Sequence, residues 1–150
     1  MSTFEQDIAF LKTLKDVILP SYKKAVNDNS NELEQDQRDQ LKKGEDRDGN
    51  QIKPDYSEGY AFKKRKFGLN ANFVDWKFTG RLYKGLIFKA TNAGIEITSN
   101  VPYIAPLIKK YNGGRVLGLQ SEIYYDFVKN EIIPTLKTEI NGKFNQRPGS

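Results

Sequence analysis

The chain has 150 residues, 37% hydrophobic, 12% aromatic and 29% charged, and it carries neither Cys nor His. Those two absences exclude disulfides, thiolate nucleophiles and imidazole proton transfer, and they remove the usual transition-metal ligands. The net charge of +5 hides a division: residues 28–58 hold ten acids and five bases, net −5, while residues 59–150 hold fifteen bases and six acids, net +9.

The length fits a single domain spanning 1–150, and a mean hydropathy of −0.68 implies a modest core. A basic body behind an acidic segment suits polyanions, or complementary patches between copies of one protein. No apolar run approaches the roughly 18 residues of a membrane span, so no membrane partner is expected. Glu5 and Asp7 near the start, with no basic run, argue against a signal peptide. The reading is of a soluble protein made inside the cell.

In chain order, residues 3–19 predict a helix. Ser2 or Thr3 can cap it, with Ser2 and Glu5 at capping-box spacing. Phe4, Ile8, Leu11 and Ile18 form one apolar stripe, and Pro20 is expected to end or kink the helix, with Tyr22, Ala25 and Val26 able to carry it one or two turns further. Residues 27–58 read as a polar arm in which Leu33 and Leu41 are the large apolar residues of the 27–50 stretch. Two conformations stay open for it: an exposed helix over about 31–43 ended by Gly44, or an extended arm that orders on a partner. Residues 51–75 read as irregular.

From Val74 onward apolar residues become dense. A strand over about 81–91, a turn at Asn92–Gly94 and a strand over about 94–99 give a β-hairpin. A short helix over about 102–111 follows, then Asn112-Gly113-Gly114 as its end, and an extended piece from Arg115 to Leu119. A long helix over about 122–140 carries Tyr124, Val128, Ile132, Leu136 and Ile140, with Pro134 expected to kink it. Residues 142–150 read as a flexible tail. The resulting fold class is α+β: an antiparallel hairpin packed with an N-terminal helix, a short helix and a long C-terminal helix.

Candidate chemistry is sparse. Asp46, Asp48 and Asn50 open like a calcium loop, but Gln51 stands where glycine is required and Ser57 where Glu is required, so a turn with solvated acids is the better account. Gly113-Gly114-Arg115 lacks the strand-to-helix context of a phosphate cradle. The carboxylates Asp75, Glu96, Asp126, Glu131 and Glu139 are scattered, and no nucleophile motif is present. No enzymatic activity, metal or cofactor is expected. The run Lys63-Lys64-Arg65-Lys66, flanked by Tyr60, Phe62 and Phe67, suits contact with DNA or with an acidic partner. Tyr103, Tyr111, Arg115 and Tyr125 are candidates for a subunit interface, since tyrosine joins an apolar ring to a polar tip.

The stretch Thr79-Gly80-Arg81-Leu82-Tyr83, followed by Ile95–Asn100, Pro102-Tyr103-Ile104-Ala105 and Tyr111-Asn112-Gly113-Gly114 before a terminal helix, resembles the tail-completion or head–tail joining family of tailed bacteriophages. Thr79, Gly80 and Leu82 match the family's opening strand motif. Ile104 splits the later Tyr-Ala pair, and Val116–Leu119 replaces the small residues expected before the last helix. The resemblance implies a non-catalytic virion protein, made in the cytoplasm of a bacterial host. Identical subunits would form a ring around the DNA channel at the neck, bound to portal, adaptor or tail proteins. A small basic nucleic-acid-binding accessory protein is the alternative.

Overall fold

The computed structural model describes residues 3–145. Its first helix, α1, spans Phe4–Asp28. Thr3 supplies the cap: its side chain accepts from the Gln6 amide, and the Gln6 side chain accepts from the Thr3 amide at 2.8 Å. The capping box therefore pairs Thr3 with Gln6, and the expected Ser2 cap lies outside the described residues. Pro20 does not end the helix. Proline deletes one ladder hydrogen bond, and the turns beyond it are held by Ser21, Ala25 and Val26, which are the buried residues of α1.

Helix α2 spans Ser30–Lys42 inside what reads as a polar arm. The helical option over about 31–43 holds and the extended arm does not, but the helix buries one face instead of lying wholly exposed. Leu33, Gln37, Gln40 and Leu41, spaced at i, i+4, i+7 and i+8, all turn inward. The two glutamines satisfy distant backbone: Gln37 Nε2 donates to the Val116 carbonyl and Gln40 Nε2 to that of Gly118, while Gln40 Oε1 accepts from the Gln120 amide. After Gly44, Asp46 Oδ1 accepts from the amides of Asp48 and Asn50 at 2.9 and 3.0 Å. The would-be calcium loop is thus closed on its own backbone. Arg115 clamps it from outside through Asp48 at 2.9 Å and Asp46 at 3.4 Å.

Helix α3, Glu58–Lys66, replaces part of the expected irregular stretch. Ser57 caps it, and its four cations fall in the last turn, where they complement the helix dipole. A single helical turn, α4 (Arg81–Lys84), stands where the first strand was expected to begin; it follows Gly80, which is in the left-handed region at φ 82°. Strands β1 (Leu86–Thr91) and β2 (Gly94–Ser99) pair antiparallel from Leu86 opposite Ser99 to Thr91 opposite Gly94. Leu86, Phe88 and Ala90 face inward, and Ile87 and Lys89 face out.

Helix α5 covers Ile104–Tyr111 and ends at Asn112, at φ 52°. The expected extended piece instead opens as a helical turn, α6 (Gly113–Val116). The C-terminal helix runs as α7 (Ser121–Phe127), a π-helical segment over Val128–Ile132, and α8 (Ile133–Phe144). The wider π segment directly precedes Pro134, which sits in the first turn of α8, where proline's missing N–H costs least. The helix continues into the supposed tail; residues 146–150 lie outside the described residues.

The architecture is mixed α+β, with the two-stranded antiparallel sheet flanked by the long first and last helices. The hairpin divides two core clusters. Leu86 joins Leu41, Val74, Trp76, Leu82 and Val116, while Phe88 and Ala90 join Val26, Leu33, Phe127 and Ile132. Beyond the second cluster, the first half of α1 runs antiparallel to α8, with Phe10 edge-on to Phe144 at 5.1 Å. Neither that half of α1 nor α8 contains a buried residue. No helix among the described residues is long and apolar enough to cross a membrane.

Candidate functional site

The most structured polar site is centred on Asp75. Lys64, in the middle of the basic run, is 0% exposed, and its Nζ donates to Asp75 Oδ1 at 2.6 Å. Tyr56 Oη donates to the same oxygen at 2.9 Å, and the amide of Lys77 donates at 3.0 Å. Asn70 Nδ2 supplies Oδ2 at 3.3 Å. A buried charge is tolerated only when paired and hydrogen-bonded in this way. Lys64 therefore does not belong to a surface for DNA or an acidic partner. Lys63, Arg65 and Lys66 of that run remain exposed.

Tyr56 also organises the backbone. Its oxygen accepts from the amides of Asp75 and Trp76 at 3.1 and 3.0 Å, and the Lys64 ammonium lies 4.4 Å from its ring centroid. This clamp holds Trp76 at φ 54°, a region that bulky side chains rarely occupy. Burial pushes the Tyr56 phenol well above its ordinary pKa, and the Asp75 charge adds to the effect. Burial, then Asp75, does the same to Tyr83, whose hydroxyl donates to the Asp75 carbonyl at 2.6 Å.

Next to this network opens a cleft of about 500 Å³. Tyr60 and Lys63 of α3 form one wall. Tyr103, Leu107, Lys110 and Tyr111 form the other, at or next to the start and along the length of α5. The segment from Trp76 to Arg81 runs between them, contributing Phe78 and Thr79. Lys63 Nζ lies 5.3 Å from the Phe78 ring centroid and Lys110 Nζ 5.1 Å from that of Tyr111. No carboxylate lines the cleft among the described residues, and Lys63, Arg81 and Lys110 have no ion-pair partner there. The Trp76 indole N–H is buried with no hydrogen-bond partner among the described residues. An aromatic cleft with a cationic rim can hold an apolar group that carries negative charge beside it.

The residues expected to act together are distributed differently. Tyr103 is exposed at the cleft. Tyr111 is only 5% exposed and packs edge-on to Trp76 at 5.8 Å, so it is a wall of the cleft and part of the core, not an open contact surface. Arg115 is engaged with the Asp46–Asp48 loop. Tyr125, 64% exposed, stands on α7 apart from the cleft. In the Thr79-Gly80-Leu82 motif, Thr79 lines the cleft, Gly80 supplies the left-handed turn and Leu82 enters the core.

Sequence reasoning passed over Tyr56, Trp76, Phe78, Arg81 and Lys110 as site residues and counted Asp75 only as a scattered carboxylate. The separation of Tyr56, Lys64 and Asp75 along the chain has no period that would signal their meeting. The chain matches no protein-family model, no curated protein and no solved structure.

Proposed function

We propose that this protein is a structural, non-catalytic subunit that assembles with copies of itself into a ring at the portal–tail junction of a tailed bacteriophage, around the DNA channel. The observation that carries self-assembly is the helical projection of α1 and α8. Phe4 is 77% exposed and Leu11 56%, with Ile8 and Ile18 exposed on the same stripe. A row of exposed apolar side chains along one helix face suits a surface covered by another protein. The phage setting rests on the resemblance carried by Thr79, Gly80, Leu82 and the elements after them.

Two further features support a binding role. In the Tyr56–Lys64–Asp75 constellation, whose residue types are those used in acid–base chemistry, Lys64 and Asp75 are buried and half-buried Tyr56 at the cleft wall is bonded to both. The division between an acidic segment and a basic body suits head-to-tail contacts between identical copies, which close into rings when the rotation allows. The alternative, a nucleic-acid-binding accessory protein, draws on the exposed Lys63, Arg65 and Lys66; the burial of Lys64 removes the centre of that stripe.

Sedimentation velocity over a concentration series, with electron microscopy of the assembled fraction, tests the reading. Closed rings, or association with a portal or tail component, are expected. A chain that stays monomeric at high concentration and binds no virion component overturns it. Binding of DNA by the monomer, with affinity falling steeply as salt rises, points to the alternative.

A further inference from the structure

Two surface features of this molecule are complementary in apolar character and charge. One is the cleft: aromatic walls, three cations without an ion-pair partner among the described residues, and no carboxylate. The other is the tip of α1, where exposed Phe4, Ile8 and Leu11 share one helix face and exposed Glu5 lies in the first turn. We infer that the tip of α1 from one copy docks in the aromatic cleft of the next, with Phe4 and its stripe entering between α3 and α5 and the exposed Glu5 of the first turn meeting Lys63 and Arg81. The inference rests on the proposed self-assembly and names the contact through which it proceeds.

Three observations select this occupant. A cleft of about 500 Å³ falls in the range that holds an apolar anchor with its polar flank. The acidic 28–58 segment of a second copy does not qualify. Its large apolar residues Leu33, Leu41 and Ile52 are buried, and none of its large hydrophobic side chains is exposed. A nucleic-acid strand is less well matched, because such binding needs cations that track a backbone, and Lys64 is held inside by Asp75. Tip and cleft are different patches, so the contact is head-to-tail and propagates from copy to copy.

The experiment is a complementation between two full-length variants. Phe4→Ser with Leu11→Ser removes the tip and leaves the cleft; Lys63→Glu with Arg81→Glu reverses the rim and leaves the tip. All four side chains are exposed, and circular dichroism checks that both chains fold. Each variant alone is expected to self-associate at least about thirtyfold more weakly than the wild type, the scale of losing central anchors. Mixed in equal amounts, they are expected to form a one-to-one heterodimer that grows no further.

The sole tryptophan gives a direct readout. On mixing, the Trp76 indole N–H resonance of the tip-deleted chain should shift. Folded variants that fail to pair overturn the inference. So does a tip-deleted variant that assembles like the wild type, an outcome that leaves ring assembly standing and discards only this contact. A wild-type chain that stays monomeric discards both. A shift of the Trp76 resonance on adding a single-stranded oligothymidylate to the tip-deleted chain reassigns the cleft to nucleic acid and overturns the inference.

Discussion

The region around the hairpin and cleft and the projection made by α1 and α8 treat their side chains in opposite ways. Around the hairpin even polar groups are buried: Gln37, Gln40, Lys64 and Asp75 all lie inside, each with hydrogen bonds that reach a different part of the chain. Along the projection even large apolar groups stay outside, Phe4 and Leu11 above all. An apolar stripe therefore marks a face that some surface must cover, without saying whether the covering belongs to the same chain. In the first region folding supplies it. In the second, folding leaves the stripe exposed.

Removing one member of the buried ion pair should have the largest effect on this contrast. Lys64→Ala or Asp75→Ala leaves a charge buried without its partner, and either is expected to cost about 3–5 kcal/mol in urea denaturation. A cost below about 1 kcal/mol would mean that the network does not support the fold. Next come two leucines in paired comparison, measured at dilutions where the chain is monomeric. Leu33→Ala in the core should cost about 2–5 kcal/mol. Leu11→Ala on the projection should stay within about 0.5 kcal/mol while weakening self-association. Equal costs would erase the distinction between the two regions.

A smaller loss, about 1–3 kcal/mol, is expected for Gln40→Ala, which strands the Gly118 carbonyl and the Gln120 amide. The gentlest probe is alkaline pH. Tyr56 and Tyr83 hold their protons above the ordinary value of 10.0 when folded, whereas the unfolded chain releases them near it. Their contribution is complete below that pH and is lost as pH rises toward the raised folded values. Urea midpoints should fall above about pH 10, and Tyr83→Phe should flatten the fall; an unchanged slope would exclude Tyr83 as a source.

Local chemistry made part of this legible. The alternation through Ile95, Glu96 and Ile97 and the turn before Gly94 marked the hairpin, and the period of four through Tyr124, Val128 and Ile132 marked the last helix. Helix α2 was legible only as one of two options. Its inward stripe mixes two leucines with two glutamines, and a hydropathy pattern counts the glutamines against burial. The basic run was misleading at one position for a related reason: nothing within four residues reveals that Lys64 faces Asp75, 11 positions later. Of the cleft, only Tyr60, Lys63, Tyr103, Tyr111 and Thr79 stood out beforehand.

By itself the sequence determined the element types with strong period or turn chemistry, the α+β class, and the absence of cysteine and histidine chemistry. Tertiary structure alone decided the choice at Pro20 in favour of a helix that passes through it, that Gln37 and Gln40 are core residues, and that a basic run contributes one cation inward and others outward. The physical reason is common to all three. Each depends on partners far along the chain, namely the second core cluster, the 116–120 backbone and Asp75, whose contributions outweigh the local preference of the residue concerned.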